Sequence, residues 1–190
     1  MVQVKLAKPN RKTGLSNLTA ALTPLGEKKI TVKGNFDSNA STFAGTAKDG
    51  RALNLIIGMN GLVGTFGDLE IDGARNRYSS KDDEDKLVVA AANDWIGSYS
   101  LASPSADGWD AYTVSIAKKG KVKVAGTLAD GTKVSLSTQM ILNETCGCIP
   151  VVFTKKSVSR AFVIWFRPEG VDVIGIADAV FGRAGSRPRS

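Results

Sequence analysis

Lys119-Gly120-Lys121-Val122-Lys123-Val124-Ala125-Gly126-Thr127-Leu128-Ala129-Asp130-Gly131-Thr132-Lys133-Val134 decides the fold class. From Lys121 onward lysine alternates with valine, the period-two pattern of a strand with one wet face and one buried face. Asp130-Gly131 then supplies residues that accept the positive φ angles of a tight hairpin, and the alternation resumes at Val134. Lys119-Gly120 turns the chain at the other end. The stretch is a hairpin that presents Lys121, Lys123 and Lys133 to solvent.

The same pattern runs outward in both directions. Strands are predicted at 2–8, 15–23, 29–36, 42–46, 52–57, 62–66 and 69–72, with a polar turn at 10–14 and a hairpin at Asp49-Gly50. After a break they return at 96–102, 112–117, 122–128, 134–142, 149–154, 161–166 and 171–180, with a loop at 104–108. The glycine clusters Gly58-Met59-Asn60-Gly61 and Gly64-Thr65-Phe66-Gly67 lack the strand-turn-helix setting of a phosphate loop and are read as turns or bulges. The apolar fraction, 43% of 190 residues, is sufficient for a core, and 20 Gly against 6 Pro suits many short strands joined by tight turns.

The break is helical. Ser79 or Ser80 is placed to cap a helix over 80–94, with Asp82, Asp83, Glu84 and Asp85 near its positive end. A calcium loop would need alternating ligands and a turn-making glycine, which this run lacks. Leu87, Ala91 and Trp95 are expected on its buried face.

The strand patterns on either side match in order. Val4–Lys8 resembles Val114–Lys118, Lys29–Val32 resembles Lys133–Leu136, and Ala52–Ile57 resembles Ala161–Phe166. The expected architecture is all-β with one connecting helix, an antiparallel β-barrel or barrel-like sandwich built from two strand-pattern repeats. Its parts are a first repeat at 1–78, a connecting helix at 79–95, a second repeat at 96–181 and a fraying tail at 182–190. Curling or joining two such halves would remove their exposed strand edges.

The chain contains no histidine. This excludes Ser-His-Asp and Cys-His mechanisms and imidazole-based zinc sites within it. Asp68, Asp72, Asp172 and Asp178 are scattered carboxylates near turns, and a glycosidase would need two of them at a defined separation. No metal and no cofactor are expected. The net charge of +7 permits contact with acidic glycans, nucleic acid or anionic surfaces. Nucleic acid is disfavoured, because the aromatic and basic signature of RNA-binding sheets is missing. No leader is visible at Met1, and no apolar run is long enough to span a bilayer.

Gly73-Ala74-Arg75-Asn76, Ser80-Lys81-Asp82 and the helix leading into Trp95-Ile96-Gly97 resemble an uncharacterised β-rich domain that recurs near the C-termini of large secreted or surface bacterial proteins. The Lys119–Val134 run is similar to its most typical stretch, and Cys146-Gly147-Cys148-Ile149-Pro150-Val151-Val152 to its cysteine pair before a strand. The resemblance implies an extracellular or cell-surface accessory module whose leader is not in this sequence, and it carries no catalytic residues.

Cys146 and Cys148 are candidates for a structural disulfide, with two free thiols or an intermolecular bridge as alternatives. Trp165, inside Phe162–Phe166, is expected in the core. Trp109 follows Asp107-Gly108 in a predicted loop, and an exposed loop tryptophan marks a binding surface. Trp109, Asp110, Tyr112 and Tyr99 are the candidate ligand-binding residues. The expected function is a non-catalytic module that binds a glycan or a neighbouring protein domain. The alternatives are a self-assembling scaffold, with oligomers, and a carboxylate-based hydrolase.

Overall fold

A computed structural model describes residues 2–10, 13, 15–155, 158–175 and 179–183. The chain divides into two units, 1–75 and 76–190. In the first unit, β1 (Val2–Leu6), β2 (Ser16–Leu22) and β3 (Ile30–Phe36) form one antiparallel sheet. A second contains β4 (Thr42–Thr46), β5 (Ala52–Ile57), β6 (Gly61–Phe66) and β7 (Leu69–Ala74). Alternation turns Leu18, Ala20 and Leu22 of β2 inward. They join Val32 and Phe36 from β3, Phe43, Leu53 and Leu55 from β4 and β5, and Phe66 and Ile71 from β6 and β7 in one core.

The second unit opens with a 3-10 turn, Arg77–Ser79, the helix α1 (Asp83–Ala91) and a second 3-10 turn, Ala92–Trp95. Two antiparallel sheets follow. One contains β8 (Gly97–Ser105), β9 (Gly108–Ile116), β10 (Lys121–Thr127) and β11 (Lys133–Gln139). The other contains β12 (Ile141–Leu142), β13 (Gly147–Lys155), β14 (Val158–Arg167) and β15 (Gly170–Ile174). The last strand, β16 (Val180–Arg183), returns to the first of these sheets, whose order is β11-β10-β9-β8-β16. Leu101, Tyr112, Val114, Val124 and Val134 from one sheet meet Ile149, Val151, Phe162, Ile164 and Phe166 from the other. The chain is thus mostly β, with four antiparallel sheets and one α-helix among the described residues, and no closed barrel forms there. Among the described residues no helix is long and apolar enough to cross a membrane.

The deciding hairpin forms as predicted, and a second one shares its geometry. Thr127 pairs with Lys133 and Gly126 with Val134; Thr46 pairs with Ala52 and Gly45 with Leu53. In the turns, Leu128 N donates to Thr132 O at 2.9 Å and Gly131 N to Leu128 O at 2.8 Å, while Ala47 N donates to Arg51 O at 2.9 Å and Gly50 N to Ala47 O at 3.0 Å. Gly131 and Gly50 sit at φ 80° and 89°, where a side chain is strained. Asp130 and Asp49 each accept a bond from the backbone N–H two residues on. Residues 44–55 and 125–136 thus share one hairpin register and one pattern of turn hydrogen bonds.

Several expectations change. The helix cap is Asp82, whose carboxylate accepts Glu84 N at 2.9 Å, so Ser79 and Ser80 lie outside the helix. Leu87 is 72% exposed; Asp85, Val88, Val89 and Ala92 face inward instead. The buried pair Asp85–Arg77 fixes that rotation. The helix belongs to the second unit. Residues 104–108 are not all loop: β8 runs to Ser105, and Pro104 pairs with Trp109. Because β16 pairs with β8 only over Tyr99–Ala102, the missing Pro104 N–H leaves no gap in that ladder. Trp165 is outside the core, since Phe162, Ile164 and Phe166 take the inward side of β14. It lies half-buried opposite Cys148, with the Arg167 guanidinium 6.0 Å from its ring centre. Asp178, part of the turn at 10–14 and residues 184–190 of the tail lie outside the described residues.

Candidate functional site

Strand β9 carries three of the four nominated residues, and its pleat separates them. Asp110 and Tyr112 turn inward and Trp109 turns outward. Asp110 is fully buried and accepts bonds from Ala129 N at 2.9 Å, Tyr112 OH at 3.1 Å and Arg160 Nε at 2.8 Å. Burial, helped by the Asp110 charge, pushes the Tyr112 hydroxyl above its usual range, and the bond to Asp110 raises the Arg160 guanidinium. Tyr99 is buried as well. Its hydroxyl donates to the Trp95 carbonyl at 2.8 Å, and its ring stacks on Phe181 at 5.2 Å. These three residues face the core, so Trp109, 56% exposed, is the nominated residue that a ligand can reach.

Trp109 stands at one end of an ordered face. Ala111, Thr113 and Ser115 share its side of β9. Cross-strand pairing extends them into the rows Ala102–Ala111–Thr127–Lys133, Ser100–Thr113–Ala125–Ser135 and Ser98–Ser115–Lys123–Ser137, with Lys121 opposite Gln139 beyond. Hydroxyls and ammonium groups thus lie side by side, and an indole closes the end. Sequence reasoning placed the lysines on this face but missed its link to Trp109. The parity of 109, 111, 113 and 115 was the available signal, hidden by starting the strand at 112.

On another part of the unit, a cleft of about 420 Å³ is lined by Val88, Asp94, Trp95, Glu144, Cys146 and Arg167, among others. Asp94, Glu144 and the Cys146 thiol are the groups that a hydrolytic alternative would use. Asn143 shapes one wall: its Oδ1 accepts from Thr145 N at 3.1 Å, Cys146 N at 2.7 Å and Cys146 Sγ at 2.9 Å. Both cysteines are free thiols, so the expected bridge is not present in this structure. Burial, and then the nearby Cys146, push the Cys148 thiol from 9.0 to about 11. Only the thiolate reacts, so its population at pH 8 falls about a hundredfold against an ordinary thiol. Mass-mapped iodoacetamide labelling at pH 8 is expected to show Cys148 modified about a hundredfold more slowly than free cysteine; equal rates would contradict that burial.

The acidic run is absorbed by the fold. Asp82 caps α1, Asp83 bonds Lys86 at 2.6 Å and Asp85 pairs with Arg77. Among the described residues no group of three potential metal ligands converges. Comparison with family models, curated proteins and solved structures gives no match to this chain.

Proposed function

We propose that the chain is a non-catalytic, extracytoplasmic accessory module that binds carbohydrate on the outer face of β8–β11. The observation that carries this reading is Trp109, 56% exposed at the end of rows of serine, threonine and lysine. A sugar presents an apolar C–H face and a rim of hydroxyls. The indole matches the first, and the side chains along the rows match the second. Binding of this kind requires no nucleophile or acid–base pair. The two matched hairpins support descent of the units from one repeated pattern. In the second unit two sheets enclose one core, which supports a barrel-like sandwich. A self-assembling scaffold draws on Ile56 and Val63, exposed cross-strand neighbours in the first unit.

Affinity electrophoresis against a panel of plant, algal and bacterial polysaccharides tests the reading. At least one is expected to retard the protein, and Trp109→Ala is expected to abolish that retardation without lowering the melting temperature. If none retards it, or the variant behaves like the parent, the glycan reading fails. A mass that rises with concentration in sedimentation favours the scaffold instead.

A further inference from the structure

Resting on the glycan reading of this face, we infer that its ligand is an acidic polysaccharide, a carboxylate- or sulfate-bearing chain laid along β10. The argument begins with the cations. Several cations elsewhere in the described structure meet carboxylates: Arg51 with Glu27 and Asp49, Arg77 with Asp85, Lys86 with Asp83, Arg160 with Asp110, Arg167 with Asp172. The three lysines of this face do not. Lys123 has Ser115 and Ser137 as cross-strand neighbours, Lys121 has Gln139, and Lys133 has Thr127. No Asp or Glu lies in any of the rows. The acid nearest in sequence, Asp130, is in the hairpin turn, and both its carboxylate oxygens accept bonds from Thr132, while Asp110 faces the core. Opposite charges paired across strands are the ordinary way to stabilise such a surface. Their absence leaves a positive field on an exposed face, which attracts anions.

The spacing selects a polymer. Lys133 is level with Thr127, and Lys121 is six residues further along β10, about 20 Å at ~3.4 Å per residue. One small anion cannot neutralise charges that far apart, whereas a chain with repeated anionic groups can. The strands on either side supply hydroxyls between these charges, Ser115 and Thr113 on β9 and Ser137 and Ser135 on β11, suited to a polyhydroxylated backbone. Single-stranded nucleic acid would call for aromatic rings spaced along the groove, and this face has one, at its end.

The test uses the full-length chain in affinity gels and calorimetry with polygalacturonate, a neutral β-glucan, galacturonic acid and a DNA oligonucleotide. Polygalacturonate is expected to bind, and galacturonic acid at least a hundredfold more weakly. The triple substitution Lys121→Gln, Lys123→Gln, Lys133→Gln is expected to weaken polymer binding at least tenfold at an unchanged melting temperature. Lys5→Gln, Lys28→Gln, Lys48→Gln removes the same charge from the first unit and is expected to change binding less than twofold. Retention on the neutral glucan equal to that on polygalacturonate overturns the acidic ligand and leaves the glycan reading standing. Equal loss in the control triple, or tighter binding of DNA, overturns the inference, and no retention on either polysaccharide removes both.

Discussion

Asp110→Ala is expected to destabilise the second unit by about 2–4 kcal/mol in denaturant titrations, because it takes a fully buried acceptor away from three donors, one of them the part-exposed Arg160 guanidinium. Asp110 stands at 0% exposure and ties three distant parts of the unit together. Its Oδ1 holds Ala129 N in the β10–β11 turn, and its Oδ2 holds the Tyr112 hydroxyl within β9 and Arg160 on β14. Removing it leaves a backbone N–H, a phenol and a guanidinium without their acceptor, each of which costs more than the bond itself was worth. Asp110→Asn keeps the volume and one acceptor but loses the charge, so a loss of about 1.5–3 kcal/mol is expected. Trp109→Ala, next in the chain, is expected to stay within about 0.5 kcal/mol, as surface changes do. The ordering Ala, then Asn, then Trp109→Ala separates framework from binding face. A stable Asp110→Ala protein that has lost glycan affinity would return Asp110 to the ligand site and sink this assignment.

The strand pattern was legible wherever one face is wet. Lys121-Val122-Lys123-Val124 declares its two faces, and Asp130-Gly131 declares its turn; both form in the structure. What one strand cannot show is its partners. Asp110 looked like a ligand-binding acid beside Trp109 because its bonding partners, Ala129 and Arg160, are 19 and 50 residues away. Trp165 looked like core because Phe162-Val163-Ile164-Trp165-Phe166 is apolar at every position. A strand that is apolar on both faces gives no parity signal; its partners across the ladders place Trp165 beside Cys148 and Asp172, on the side away from the core. Ser79 and Ser80 were the caps expected by residue type, and the shift to Asp82 goes with the distant pairing of Arg77 and Asp85.

That buried pair also carries the second large effect. Arg77 Nη1 and Asp85 Oδ1 lie 2.8 Å apart, with side-chain exposures of 7% and 0%. Water cannot stabilise either charge after its partner is removed, so Asp85→Ala is expected to cost about 3–5 kcal/mol. The helix adds a smaller share. Asp85 is in the first turn of α1, where a carboxylate opposes the helix dipole, worth roughly 0.3–1 kcal/mol. Loss of the pair should release α1 first, because its own apolar packing on the core comes from Val88 and Val89, both only partly buried. Trp95, in the 3-10 turn that follows, packs 5.8 Å from Phe166 and reports that release through its fluorescence. Replacing both members, Arg77→Met with Asp85→Leu, removes the desolvated charges together and is expected to recover much of the loss, as apolar substitutes for buried ion pairs often do. The decisive quantity is the coupling in that double-mutant cycle. A value near zero would mean that Asp85 is held by other neighbours and that Arg77 does not set the rotation of the helix.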